Sequence, residues 1–147
     1  MTPSEKDDLF YVCSLIEYTA RKTKNHRGKI VECLGNEGIK KQLHDARVNH
    51  CLSFEQVSDE LIETYSIPEG DFDTISGCRY SIPSFTAIGK LYMRMILECA
   101  VPGNEIEELK KVFTSFISDE ISRFATGLYY ESPSYLNCSY QSGELLR

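Results

Sequence analysis

Two consecutive stretches decide the fold, Ser84-Phe-Thr-Ala-Ile-Gly-Lys-Leu-Tyr-Met-Arg-Met-Ile-Leu-Glu-Cys99 and Asn104-Glu-Ile-Glu-Glu-Leu-Lys-Lys-Val-Phe-Thr-Ser-Phe-Ile-Ser-Asp-Glu-Ile-Ser-Arg-Phe-Ala-Thr-Gly127. In the first, Ile88, Leu91, Tyr92, Met95, Ile96 and Cys99 recur at intervals of three and four, one face of a helix, behind a serine suited to cap it. Pro102-Gly103 ends that helix. In the second, Ile106, Leu109, Val112, Phe113, Phe116, Ile117, Ile121 and Phe124 keep the same period, so the spacing predicts one long helix from Asn104 to a closing Gly127. Met93 and Met95 with Phe113, Phe116 and Phe124 read as core.

Working outward, the same grammar holds towards the N-terminus. Thr2-Pro3-Ser4-Glu5 is an N-cap, a proline at the first helical position and a capping-box acid. Leu9, Val12, Cys13, Ile16 and Ala20 then carry a helix to about Lys22. Asn25 is placed to cap a short second helix with Ile30, Val31 and Leu34 that ends at Gly35, and Asn36 a third with Ile39, Leu43, Ala46 and Val48 inward. Ser53-Phe-Glu-Gln56 opens a helix carrying Val57, Leu61, Ile62 and Tyr65, which Pro68 stops. From Pro68 to Pro83 turn residues replace periodicity, and a loop of that length is often functional. After Gly127 there is no clear period, only Tyr129, Tyr130, Tyr135 and Tyr140 among Pro133 and Gly143. The expectation is an all-α, single-domain, irregular bundle of about six helices over residues 1–127, with a tyrosine-rich C-terminal extension over 128–147 packed on it or used for partner binding.

Composition sets limits. The chain has 147 residues, 41% hydrophobic and 26% charged, the profile of a globular domain large enough to fold without metal or disulfide. No apolar run reaches the ~18 residues of a membrane span. The polar, acidic start Met1-Thr-Pro-Ser-Glu-Lys-Asp-Asp8 is unlike a signal peptide, which sets a cytoplasmic expectation. The 6 cysteines are scattered, and read as reduced thiols.

Charge is unevenly placed. Residues 1–50 hold 9 basic and 7 acidic side chains, residues 51–147 hold 7 and 15, and the whole chain is at −6. The basic run Arg21, Lys22, Lys24, Arg27 and Lys29 is therefore a candidate surface for a charged partner. Phosphate binding is one use of it, with Asn25 and His26 adding hydrogen bonds, and the segments around Gly35-Asn-Glu-Gly38 outline a helix-turn-helix-like nucleic-acid binder over residues 21–50 that presents Lys40, Lys41, His44 and Arg47. A pI near 5.1 favours an acidic protein surface instead, or basic side chains suiting the end of the first helix. The loop acids Asp71 and Asp73 are a candidate counterpart, within the chain or on a second copy. Tyr129, Tyr130 and Tyr135 form a candidate recognition element, since tyrosine gives large amphipathic contact area at low entropy cost.

Catalytic patterns are sparse. His44-Asp45 with His26 and a later Asp has the residue types of an HD-type metal-dependent phosphohydrolase, but at shorter spacings. His50-Cys51 lacks the paired ligands of a zinc site and the usual separation of a catalytic dyad. No nucleophile elbow, phosphate-binding glycine loop or complete EF-hand loop is present. No metal ligand set and no cofactor is assigned.

The strings Ile16-Glu-Tyr-Thr-Ala-Arg-Lys-Thr-Lys-Asn25 and Tyr80-Ser-Ile-Pro-Ser-Phe-Thr-Ala-Ile-Gly-Lys90 resemble stretches of a small uncharacterised protein family of Gram-positive bacteria or their phages; together they span 21 of 147 residues. The resemblance brings no activity and no site residues. It implies an accessory protein of the kind encoded beside toxins and defence systems. The reading is a non-enzymatic protein that binds another protein, in an antitoxin, immunity or inhibitor role, with a homo-oligomer through the Ile106–Phe124 face as a further possibility.

Overall fold

A computed structural model describes residues 1–146; its regular structure is helical, with no strand among the described residues. Among the described residues seven α-helices follow one another: α1 (Pro3–Thr23), α2 (Arg27–Asn49), α3 (Phe54–Thr64), α4 (Phe85–Cys99), α5 (Glu105–Thr114), α6 (Phe116–Ser122) and α7 (Pro133–Ser142), with 3-10 turns at Phe124–Thr126 and Leu128–Tyr130. The all-α bundle expected from the sequence is the fold found. No helix among the described residues is long and apolar enough to cross a membrane.

α1 is the central post. The capping box forms, with the Glu5 amide donating to Thr2 Oγ1 at 3.2 Å. Every residue from Tyr11 to Glu17 is buried, because α2, α3 and α4 pack around it. A helix enclosed on several sides has no need of a single apolar stripe. The core contains the stripe of α4 (Ile88, Leu91, Tyr92, Met95, Ile96), with Leu109, Val112, Phe113, Ile117, Ile121 and Phe124 opposite. The Tyr92 and Phe113 rings stack with centroids 4.1 Å apart. The apolar face considered for self-association is thus consumed by the chain's own core.

Three boundaries bear on the sequence reading. The long helix of residues 104–127 breaks at Ser115, whose backbone is extended (φ −82°, ψ 167°). Thr114 Oγ1 donates to the Lys110 carbonyl at 2.6 Å and Ser115 Oγ to that of Val112 at 2.7 Å, so two adjacent hydroxyls occupy carbonyls at the end of the helix. Second, residues 27–49 run as α2 with a kink at Gly35 (φ 65°, ψ −179°), a conformation open to glycine alone, so the break expected between the second and third helices falls where the sequence puts it. Val48, expected inward, is 71% exposed. Third, the C-terminal segment forms α7, which packs on α4 and α6. Its start was written in Ser132-Pro133, where Ser132 Oγ caps the Tyr135 amide at 3.2 Å. Its inner face is Leu136, Asn137 and Ser139, two of them polar, and apolar periodicity is silent there.

Candidate binding groove at the end of α1

The chemistry concentrates where α1 stops. Lys24 takes a left-handed conformation (φ 57°, ψ 45°) and turns the chain out of the helix. Asn25, expected to cap α2, is instead buried: its Nδ2 donates to Thr23 Oγ1 at 2.9 Å and to the Pro68 carbonyl at 2.7 Å. His26 takes the cap position without a side-chain capping bond. The 68–83 segment is strapped to this turn. Gly70 N donates to Thr23 O and Phe72 N to Lys24 O, both at 2.8 Å. A side chain at residue 70 would begin 2.5 Å from the Lys24 carbonyl oxygen, so glycine is what permits the approach. Phe72 stacks on the His26 ring at 3.9 Å, and His26 Nδ1 lies 2.8 Å from Asp119 Oδ1.

Beneath the strap lies a buried charge cluster. Arg27 is wholly enclosed and forks onto Glu17, Nε to Oε1 at 2.9 Å and Nη2 to Oε2 at 2.6 Å, while Nη2 also donates to Thr74 Oγ1 of the strap at 3.1 Å. Arg21 Nε donates to the same Glu17 Oε2 at 2.7 Å, and its Nη2 to the Pro83 carbonyl at 2.8 Å. Its guanidinium sits 4.9 Å from the centre of the Phe124 ring. Burial pushes the Glu17 carboxyl up, but the charges and hydrogen bonds of Arg27 and then Arg21 outweigh it and hold it below its ordinary range. Two guanidiniums meet one carboxylate, so the cluster carries one positive charge in excess.

Above it the molecule opens into a groove of about 560 Å³ lined by Tyr18, Arg21, Lys22, Lys24, Asp73, Ile75, Ser76, Ile82 and Phe85. Tyr18 and Phe85 meet edge to face at 5.0 Å, and Phe54 extends the aromatic layer 4.7 Å from Phe85. Lys22 pairs with Asp59. Asp73 Oδ1 accepts the amides of Ile75 and Ser76, each at 3.0 Å, and those bonds hold its carboxyl down at about 2. The loop acid thus folds its own turn beside the basic segment.

The sequence candidates divide accordingly. Arg21, Lys22, Lys24 and Asp73 share the groove. Arg27, read as part of a solvent-facing basic run, is a correction: it is inside the protein, neutralised by Glu17. Lys29 and Asp71 are exposed but do not line the groove. Tyr129 and Tyr130 form a separate patch, rings 4.4 Å apart, with Tyr129 edge-on to Phe124 at 5.9 Å and Tyr130 81% exposed. Tyr135 donates its hydroxyl to the Leu146 carbonyl. Tyr18, Ile82 and Phe85 were missed; Phe85, three residues before Ile88, lies in phase with the stripe of α4 and so reads as core.

The other constellations do not assemble. His44 lies beside Asp45 (3.2 Å) on an exposed face while His26 pairs with Asp119, and no group of three His, Cys, Asp or Glu able to hold a metal occurs among the described residues. Residues 27–49 lack the three- to four-residue turn of a helix-turn-helix. Lys40, Lys41 and Arg47 each stand beside an acid (Glu37, Asp45 and Asp8). His50 and Cys51 are both exposed, Sγ 3.9 Å from Nδ1. All 6 cysteines are free. Compared with known families, curated proteins and solved structures, the chain finds no match in any of the three.

Proposed function

We propose that this chain is a non-enzymatic interaction protein that engages another protein at the groove beside the end of α1, in an accessory role such as antitoxin, immunity protein or inhibitor. The observation that carries the reading is the lining: three cationic side chains stand over an aromatic and aliphatic floor on a protein of net charge −6. Interfaces favour this combination of arginine, tyrosine and phenylalanine. The groove is built by packing and by the buried cluster below it, so it is largely formed before a partner arrives, which lowers the ordering cost of binding. An accessory role also agrees with the resemblance of Ile16–Asn25 and Tyr80–Lys90.

The test is affinity purification of the tagged chain from its native host, run beside the double variant Lys24→Glu/Ile82→Ser, with circular dichroism to show that both are folded. A protein held stoichiometrically by the wild type and lost from the variant is the expected result. Empty eluates, or a partner retained equally by both chains, would overturn the assignment of this groove.

A further inference from the structure

The groove also specifies the chemistry of its occupant. We infer that it takes a linear acidic segment of the partner, with one aliphatic or aromatic side chain laid on Tyr18, Ile82 and Phe85 and flanking carboxylates facing Lys24 and Arg21. This rests on the interaction reading above.

Three features lead there. The first is sign: with Lys22 paired to Asp59, the lining leaves Arg21 and Lys24 against one carboxylate, Asp73, which already accepts two backbone amides. Glu17 and the buried Arg27 cancel, so the cluster adds no charge beyond that of Arg21, whose side chain is 15% exposed at the groove. Arg21 is held by Glu17, Pro83 and the Phe124 ring, so its charge is fixed at the groove wall rather than carried on a free side chain. Second, the floor is apolar and only half-buried at Tyr18, Ile82 and Phe85, which leaves an edge for a side chain to cover. The third is shape. The groove is open to solvent rather than enclosed. A small anion there would stay largely wet, whereas sites for small ligands bury most of the ligand surface. A peptide covers an open groove by extending past both ends of it.

The probe is a phage-displayed library of random peptides panned on the full-length chain, followed by fluorescence polarisation with the enriched sequences. Peptides rich in Asp and Glu around one Leu, Ile, Phe or Tyr are expected. Their affinity should fall as salt rises from 50 to 300 mM, and Lys24→Glu should weaken them roughly five- to twenty-fold, a reversal of one exposed pairing. Ile82→Ser, a loop change outside the core, should weaken them independently. Enrichment of basic or uncharged peptides, or binding unmoved by both variants, would overturn the inference. So would the absence of peptide binding together with Lys24-dependent binding of anilinonaphthalene sulfonate, which would identify a small aromatic anion as the occupant. A native partner lost from the groove variant while no acidic peptide binds would sink this inference and leave the interaction reading standing.

Discussion

Replacing Arg27 by methionine is the sharpest test of how the region under the groove is held. The substitution keeps most of the side-chain volume and removes two charge-assisted hydrogen bonds to Glu17, at 2.9 and 2.6 Å. Such bonds are worth about 1.5–3 kcal/mol each, and Glu17 keeps only its bond to Arg21. Two such bonds come to about 3–6 kcal/mol, and the range typical of breaking a buried pair narrows the expected loss to about 3–5 kcal/mol. Glu17→Met should cost about 4–5 kcal/mol, because it leaves the fully enclosed Arg27 without a counter-charge. The double variant removes the pair together. Arg21 has a side chain 15% exposed and can turn to solvent, so the double should cost only about 1–2 kcal/mol, less than either single. The chain has no tryptophan, so urea unfolding is best followed by far-ultraviolet circular dichroism. With a urea slope of about 2 kcal/mol/M, each single should lower the midpoint by about 1.5–2.5 M. The acid limb gives a second reading. Glu17 is depressed in the folded state, so its contribution is present above its ordinary pKa of 4.5 and is lost as pH falls through the lower folded value. Arg27→Met should flatten that part of the stability profile. Singles costing under about 1 kcal/mol, or a double equal to the sum of the singles, would refute the reasoning.

Further expectations are separate from this. Gly89→Ala would set a Cβ 2.7 Å from the Ser14 backbone nitrogen where α1 and α4 press together, and should cost about 2–3 kcal/mol in thermal or urea unfolding. Leu136→Ala should cost about 2–4 kcal/mol, since Leu136 of α7 is fully buried against the bundle; an unchanged melting curve would mean the C-terminal segment is not part of the core. With a thiol reagent on the native protein, the exposed Cys51 and Cys138 should react within minutes. Cys13 should not react until the protein unfolds, because burial pushes its thiol far above its ordinary range and shuts out the reagent.

The sequence was most readable where one side of a helix faces the core and the other faces water. The caps at Thr2, Ser53 and Ser84 and the stripe of α4 sit where their spacing puts them. It was least readable where the inward residues are polar. Arg27 and Glu17 look like surface charge in any hydropathy pattern, ten positions apart and on different helices, and only the turn at Lys24–His26 brings them together. The inner face of α7 uses Asn137 and Ser139, and its helix was missed for the same reason. The continuous apolar pattern across residues 106–124 concealed the break at Ser115, because both sides of the break are buried. In the groove, the charged half was visible as a cluster in sequence, whereas the floor combines Tyr18 of α1 with Ile82 and Phe85 more than 60 positions later, a juxtaposition that only chain closure creates.

The enclosure of α1 has a consequence during synthesis. This helix is made before α4, yet the surface that covers it belongs largely to α4, and even Arg21 waits for a carbonyl 62 positions further along the chain. At about 5–20 residues per second, roughly 3–12 seconds pass on the ribosome before that partner is made. Throughout that interval α1 has only α2 and α3 to pack against, and the surface that α4 will cover stays open. Nascent chains of this protein should therefore be habitual clients of holding chaperones, and slowing translation within the strap should lower its soluble yield more than slowing it after α4 is complete.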